Sequence, residues 1–159
     1  MADAQPPFQS FLDSNREVVW RYLVSAVGAA EAEDCFQETF IAALRAYPRL
    51  RADSNLRAWV LTIAHRKSLD AHRARARRAT PVEDPATVDS RAAVSPPGRD
   101  ETLWLAVDEL PARQRSAVVL RYVADLPHRD IAAALGCSEE AARRSLHEGL
   151  SKLRKVVSA

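Results

Sequence analysis

The stretch Leu126-Pro127-His128-Arg129-Asp130-Ile131-Ala132-Ala133-Ala134-Leu135-Gly136-Cys137-Ser138-Glu139-Glu140-Ala141-Ala142 reads as two helices joined by a tight turn. Pro127 suits a first helical position, where its missing N–H costs nothing. Ile131 and Leu135 stand one turn apart on an apolar face, with Ala132 beside them. Gly136 can take the positive φ that ends a helix, and the Ser138 hydroxyl can cap the next one. A short helix, a glycine turn and a capped second helix are the layout of a helix-turn-helix, whose second helix can enter the DNA major groove. Nucleic acid is therefore the first partner to test.

Working outward, the rest of the chain also reads as helix. Leu103, Trp104 and Val107 mark one helix ending near Leu110-Pro111, and Val118, Val119, Tyr122 and Val123 mark the next. A basic tail, Lys152, Arg154 and Lys155, closes this second module, residues 100–159. Upstream, a first helix is expected from about Pro7 to Val27, ended by Gly28. A second begins near Ala29 with Glu31, Glu33 and Asp34 at the favourable end of its dipole, and Pro48 stops it. Asp53 or Ser54 can cap a third that carries Leu56, Trp59, Val60 and Ile63 and reaches about Arg78. The expected fold is all-α: a three-helix module over residues 1–78 and a helix-turn-helix module. Residues 79–99, rich in Pro and acidic residues, read as a mobile linker that lets the modules reorient until a partner fixes them.

With 159 residues and 47% hydrophobic residues, the chain has enough apolar side chains for two small cores. The net charge of +2 is modest for a DNA binder, so the positive charge has to be local. It is: His65, Arg66, Lys67, His72, Arg73, Arg75, Arg77 and Arg78 are relieved only by Asp70. Arg66, Arg73 and Arg77 fall at spacings of seven and four and can share one phosphate-facing stripe, or simply form a solvated helix end. Trp59 could stack on an unpaired base, but its apolar neighbours favour the core. Cys35 and Cys137 are expected as buried free thiols in a reducing compartment. No leader, membrane span, metal-ligand spacing, phosphate-cradling glycine loop or catalytic constellation is read from the residues, so a cytoplasmic protein without cofactor or small-molecule substrate is expected. The acidic segment around Glu33-Asp34-Cys35-Phe36-Gln37-Glu38 is less ordinary. Gln37, Glu38, Ile41 and Arg45 run down the face away from Phe36 and Phe40, a polar stripe interrupted by one apolar residue that suits a protein partner.

Several motifs in order carry a family resemblance. They are Ala32-Glu33-Asp34-Cys35-Phe36-Gln37-Glu38-Thr39-Phe40, the run from Leu56 to Asp70, Leu110-Pro111-Ala112-Arg113-Gln114-Arg115, Leu120-Arg121-Tyr122 and the run from Asp130 to Ser138. Together they resemble the extracytoplasmic-function (ECF) sigma factors, small two-domain members of the sigma-70 family of bacterial transcription initiation factors. The resemblance implies that Asp34, Gln37, Glu38, Ile41 and Arg45 dock on the clamp helices of the largest RNA polymerase subunit, with the flap of the second-largest subunit as a further contact. It implies a −10 promoter element read and melted by Leu50, Arg51, Asp53, Ser54, Asn55, Arg57, His65, Arg66, Asp70, Arg73 and Arg77. It implies a −35 element read from the helix beginning at Ser138, through Glu139, Glu140, Arg143, Arg144 and His147, with Arg115 and Arg121 near the phosphates. An anti-sigma factor that clamps both modules is left open.

Two departures stand out. Many members carry Thr-Val-Lys/Arg-Ser-Arg where this chain has Ala141-Ala142-Arg143-Arg144-Ser145, and many carry Asn at the position of Arg66. Glu139, Glu140 and Glu148 add negative charge to the recognition helix, which should therefore bind DNA weakly by itself, although a carboxylate can accept from cytosine N4. The alternatives are a sigma mimic that sequesters an anti-sigma factor and a plain helix-turn-helix regulator. The second leaves the acidic stripe and the basic helix unexplained.

Overall fold

A computed structural model describes residues 4–51, 54–78 and 101–158. Its regular structure among the described residues is entirely helical: α1 (Phe8–Val27), α2 (Ala29–Ala46), a 3₁₀ turn (Tyr47–Arg49), α3 (Leu56–Arg78), α4 (Glu101–Asp108), α5 (Ala112–Tyr122), α6 (His128–Leu135) and α7 (Glu139–Val157). The expected linker over 79–99 lies outside the described residues, as do Ala52 and Asp53.

The first three helices pack pairwise around one core. Gly28 alone separates α1 from α2, and its φ of 84° is open to glycine at no steric cost. The sharp corner it allows lays α2 back along α1. Phe11, Val19, Tyr22 and Leu23 of α1 then meet Phe40 and Ala43 of α2 and Val60 and Leu61 of α3, all buried. Each large side chain removed from water here contributes about 1.5–3 kcal/mol. At the lower end Phe8, Phe11, Phe40, Tyr47 and Trp59 form an aromatic cluster, with centroid separations of 5.2 Å for Phe11–Tyr47 and 5.7 Å for Phe11–Trp59. Trp59 is thus a core-packing residue.

The cap of α3 differs from expectation. Asn55, not Asp53 or Ser54, accepts the Ala58 N–H through Oδ1 at 3.1 Å, and its carbonyl accepts from Trp59. Burying Ala58 beside half-buried Leu56 and Trp59 fixes where the helix begins, and Asn55 is the polar residue that immediately precedes it.

In the second module α5, α6 and α7 pack on one another, with α4 laid against α7. Gly136 ends α6 at φ 66°, ψ 38°, and Ser138 caps α7 by accepting from Ala141 at 3.1 Å. Ile131, Leu120, Ala117 and Leu126 are fully or almost fully buried beneath this turn. Pro127 stands one residue ahead of the helix rather than inside it. Lys152, Arg154 and Lys155 are no separate tail. They occupy the last turns of α7, where basic side chains suit the negative end of the dipole.

The two modules pack directly on each other: α6 lies against α3, and α5 against α1. Small residues on the first module's side, Ser25, Ala26 and Ser68, let the second approach closely. Hydrogen bonds among the described residues cross this seam. Asn55 Nδ2 donates to Asp130 Oδ2 at 3.1 Å, Arg57 Nη1 to the Ala124 carbonyl at 3.2 Å, and Arg115 Nη1 to the Ser25 carbonyl at 3.3 Å.

Candidate functional site

Three surfaces carry the residues singled out from sequence. The first is the outer face of α2. Thr39, Phe40, Cys35 and Ala43 turn inward, with the Thr39 hydroxyl donating to the Cys35 carbonyl at 2.7 Å. Helical geometry then brings Asp34, Gln37, Glu38, Ile41 and Arg45 together on the opposite side, and all five are exposed. Ile41 is 50% exposed with Leu44 beside it, an apolar centre ringed by polar groups. Among the described residues none makes a hydrogen bond or ion pair to these five side chains. The acidic side chains have one further effect. Burial first, then Glu38, Glu31, Asp34 and Asp70, push the Cys35 thiol up to about 11, so it stays protonated and unreactive near neutral pH.

The second surface runs along α3. Leu50 packs against the core and Arg51 is exposed, while Asp53 lies outside the described residues. Ser54 is half-buried. Asn55 and Arg57, at the head of the helix, are drawn into the seam as described. Further along, His65 is half-buried and shares a 2.7 Å hydrogen bond between its Nδ1 and the Tyr22 hydroxyl. Its pKa is lowered, first by burial and then by the positive charge of Arg113, Arg66 and His72. Burial also pushes the Tyr22 phenol up to about 12. His72 reaches back to the Ala26 carbonyl at 2.9 Å. Arg66, Arg73 and Arg77 are exposed, as a shared stripe requires. Arg73 is loosely paired with Asp70 at 3.6 Å, and Arg75 with Glu31 at 3.6 Å.

The third surface is the outer face of α7. Glu139, Glu140, Arg143, Arg144 and His147 are all exposed, whereas Ala142, Ser145 and Leu146 face inward. The two arginines are not free: Arg143 pairs with Glu139 at 2.8 Å and Arg144 with Glu140 at 3.8 Å, each one turn along the helix. Such exposed pairs are worth a few tenths of a kcal/mol, so a DNA phosphate or base edge could displace them cheaply. Two expected phosphate contacts sit elsewhere. Arg115 is only 7% exposed and donates to the Leu110 and Ser25 carbonyls, because the close approach of α1 and α5 encloses it. Arg121 is half-buried and donates to the Leu126 carbonyl at 3.0 Å, bracing the loop into α6.

Some features were not foreseen. Tyr122, one of the residues that marked α5 in the sequence, is 64% exposed, and Cys137 is half-buried rather than buried. Tyr122 borders an apolar groove of about 520 Å³ between α4, α5 and α7, lined by Leu103, Val118, Leu150 and Val157 among others. The sequence signal for it was Val156-Val157, an apolar pair beyond the basic residues of α7, of which Val157 is 66% exposed. Between the modules lies a second cavity of about 200 Å³, bordered by His65, Leu69, His72, Ala112 and Arg113. No helix among the described residues is long and apolar enough to cross a membrane.

Residues 11–78 match the Sigma-70 region 2 family, and residues 100–153 match Sigma-70, region 4. The ECF RNA polymerase sigma factor SigD of Mycobacterium tuberculosis is 33% identical over an alignment covering 93% of this chain and 76% of that protein. The RNA polymerase sigma factor CarQ of Myxococcus xanthus is 31% identical, over 97% of this chain and 91% of its own. Among solved structures, the sigma factor RpoE from Bartonella quintana, in complex with the anti-sigma factor NepR, superposes with a TM-score of 0.82 at 23% identity. That match covers 96% of this chain and 97% of RpoE, and it shows a shared fold.

Proposed function

Because the chain belongs to the ECF sigma factors of the sigma-70 family, we propose that it binds core RNA polymerase and directs initiation at promoters with paired −10 and −35 elements. The observation that carries this reading is the outer face of α2, where five side chains picked from sequence converge on one exposed, unpaired surface around Ile41. That face docks on the clamp helices of the largest polymerase subunit. The apolar groove between α4, α5 and α7 offers a seat for an apolar segment of the second-largest subunit's flap. Polymerase, not this chain, carries out phosphodiester chemistry, and the work is done in the cytoplasm where promoter DNA is.

On the DNA, the segment from Leu50 to Asn55 and the exposed basic side of α3 take the −10 element. Binding an unstacked base there offsets part of the few kcal/mol of lost stacking. Arg66, Arg73 and Arg77 follow the phosphates, which makes binding steeply dependent on salt. The outer face of α7 reads the −35 element through His147 and through Arg143 and Arg144 once these are released from their helical neighbours. An anti-sigma factor gripping both modules would oppose all of this.

The test is reconstitution. The chain is mixed with core polymerase and a promoter library, and transcript starts are sequenced. A shared two-part motif upstream of the starts is the expected result, and starts with no such motif overturn the proposal. One observation favours a second reading, a sigma mimic: the acidic side chains that occupy both arginines of the recognition helix. A mimic would capture an anti-sigma factor while producing no promoter-dependent transcripts.

A further inference from the structure

The cavity of about 200 Å³ between the modules collects positive charge. His65, Ser68 and His72 of α3 line it from one side, and Arg113, Arg115 and Ser116 of α5 from the other. Arg115 is only 7% exposed, its guanidinium held at the wall by hydrogen bonds to the Leu110 and Ser25 carbonyls. Among the described residues no carboxylate lines the space. Asp70, two positions before His72, leans instead toward Arg73 at 3.6 Å. The cavity also meets the start of α5. Ala112 and Arg113, its first two residues, border it, and Pro111 ahead of them provides no side-chain cap. The first N–H groups of a helix have no partner within the helix and carry the positive end of its dipole. We propose that this cavity binds a phosphate-type oxyanion, inorganic phosphate or the phosphate group of a small monoester, between α3 and α5.

Size narrows the ligand. About 200 Å³ is the liquid volume of roughly six or seven waters, enough for one tetrahedral oxyanion and a few waters. Pockets for larger organic ligands begin at about 300 Å³, so a whole nucleotide is too big. The chemistry of the walls agrees. Nε2 of His72 lies 2.9 Å from the Ala26 carbonyl, which can only accept, so that nitrogen carries a proton and Nδ1 is the one left for a ligand. His65 has its Nδ1 engaged by the Tyr22 hydroxyl, which leaves Nε2. Water alone would fill the space without offsetting the crowded positive charge. After burial, Arg113, Arg66 and His72 already hold the His65 pKa below its ordinary value. A negative charge within about 4–6 Å favours the imidazolium and works in the opposite direction.

The test uses the full chain and inorganic phosphate, titrated at constant ionic strength against sodium chloride. The His65 imidazole resonances should shift saturably, and the His65 titration should move upward. The groups facing that ring are the Tyr22 phenol of α1, kept neutral by a pKa pushed up to about 12, Arg66 and His72 of α3, and Arg113 of α5. None of them is an anion, so the upward move reports the added phosphate. A shift that does not saturate, or that sodium chloride reproduces, overturns the site. Methyl phosphate separates the two sources. Equal affinity assigns the site to a monoester whose body projects into solvent, and a preference of about tenfold or more for inorganic phosphate assigns it to the free ion. If His65 responds to a single-stranded oligonucleotide but not to phosphate, the site is overturned.

Three substitutions locate the binding, and none touches a surface assigned to polymerase or DNA. Arg113→Glu puts a carboxylate at the cavity, and His72→Gln keeps a donor for the Ala26 carbonyl while removing the ring. Each should weaken phosphate binding about tenfold, the loss expected for one hydrogen bond to a charged group. Unchanged affinity in both overturns the site, because phosphate then binds elsewhere. Ala112→Glu guards against misfolding, since an acidic residue in the first turn suits the helix dipole. Its carboxylate should occupy the cavity, keep or raise the thermal midpoint, and abolish the phosphate response of His65. Retained phosphate affinity in this variant also overturns the site. These readouts involve neither polymerase nor promoter, so their outcome is separate from that of the promoter-reading role.

Discussion

The outer face of α2 and the head of α3 belong to one small module, and each is dressed with short and long polar side chains. They are nonetheless in opposite states. Asp34, Gln37, Glu38, Ile41 and Arg45 face solvent with no hydrogen bond or ion pair among the described residues, while Asn55 and Arg57, exposed as well, each donate a hydrogen bond to the neighbouring module. The difference comes from topology. Gly28 folds α2 onto α1 on the side away from the second module, whereas α3 runs along the side that α6 covers.

Removing the support of α6 should damage this contrast most. Ile131 is fully buried where α6 meets the rest of the second module. Ile131→Ala should cost about 2–5 kcal/mol, read as a shift in urea midpoint by circular dichroism. The hydrogen bonds from Asn55 and Arg57 to the second module are lost as α6 loosens, while the α2 face keeps its polymerase affinity at temperatures where the first module remains folded. A loss below about 1 kcal/mol would mean that α6 is not seated as described.

The open half of the comparison rests on Ile41. Ile41→Asp puts a charge at the centre of the apolar island and should weaken core polymerase binding by about 2–3 kcal/mol, as for a central interface residue. Gln37→Ala at the edge of the island should cost less. Both changes are on an exposed helical face, so helical content should not move. Polymerase affinity by fluorescence anisotropy is the measurement, and unaltered affinity in both variants removes the α2 face from the docking assignment.

Intermediate in size is the prediction for α7. Arg143→Ala should relax the preference at one upstream base pair by about 1–3 kcal/mol if that side chain contacts a base edge. Its pairing with Glu139 sharpens the expectation: Glu139→Gln frees Arg143 and should strengthen binding to the −35 duplex without broadening it. If Arg143→Ala instead weakens all sequences equally, the residue belongs to the phosphate contacts.

What was legible in the sequence divides along the range of the interactions. Gly136 and Ser138 were readable because a left-handed residue and a cap are decided by their immediate neighbours. The α2 face was readable because a 3.6-residue period sorts Cys35, Thr39 and Phe40 from Gln37, Glu38 and Ile41. The cap of α3 was ambiguous, since Asp53, Ser54 and Asn55 are all good caps and tertiary packing of Ala58 selects among them. Arg115 was visible as a basic residue, but its burial depends on Ser25, ninety positions away. The seam had no local signature at all: Asn55 and Asp130 are 75 positions apart, and each is an ordinary polar residue in its own segment.

The smallest expected effect probes the seam without opening it. The His65 pKa is depressed below its ordinary value of 6.5 first by burial, to which both modules bordering its cavity contribute, then by Arg113 of the second module and by Arg66 and His72 of the first. Arg113 is exposed, so water and salt screen it. With the modules closed, Arg113→Ala should move the His65 titration upward, toward the ordinary value, when followed by the imidazole resonances. With the modules apart, the two side chains are too distant to interact and the substitution should do nothing. The sign of the pH effect on stability follows from the same shift. A histidine whose pKa is lowered on folding favours the neutral ring, so its environment costs nothing above the ordinary value. As pH falls through 6.5 toward the lowered pKa, the unfolded or opened chain takes up more protons than the closed one. The closed form should therefore lose stability on mild acidification, and Arg113→Ala should lessen that loss. A His65 titration that ignores both Arg113→Ala and high salt would show that the modules are apart in solution, and the contrast between the tethered head of α3 and the unpaired face of α2 would go with it.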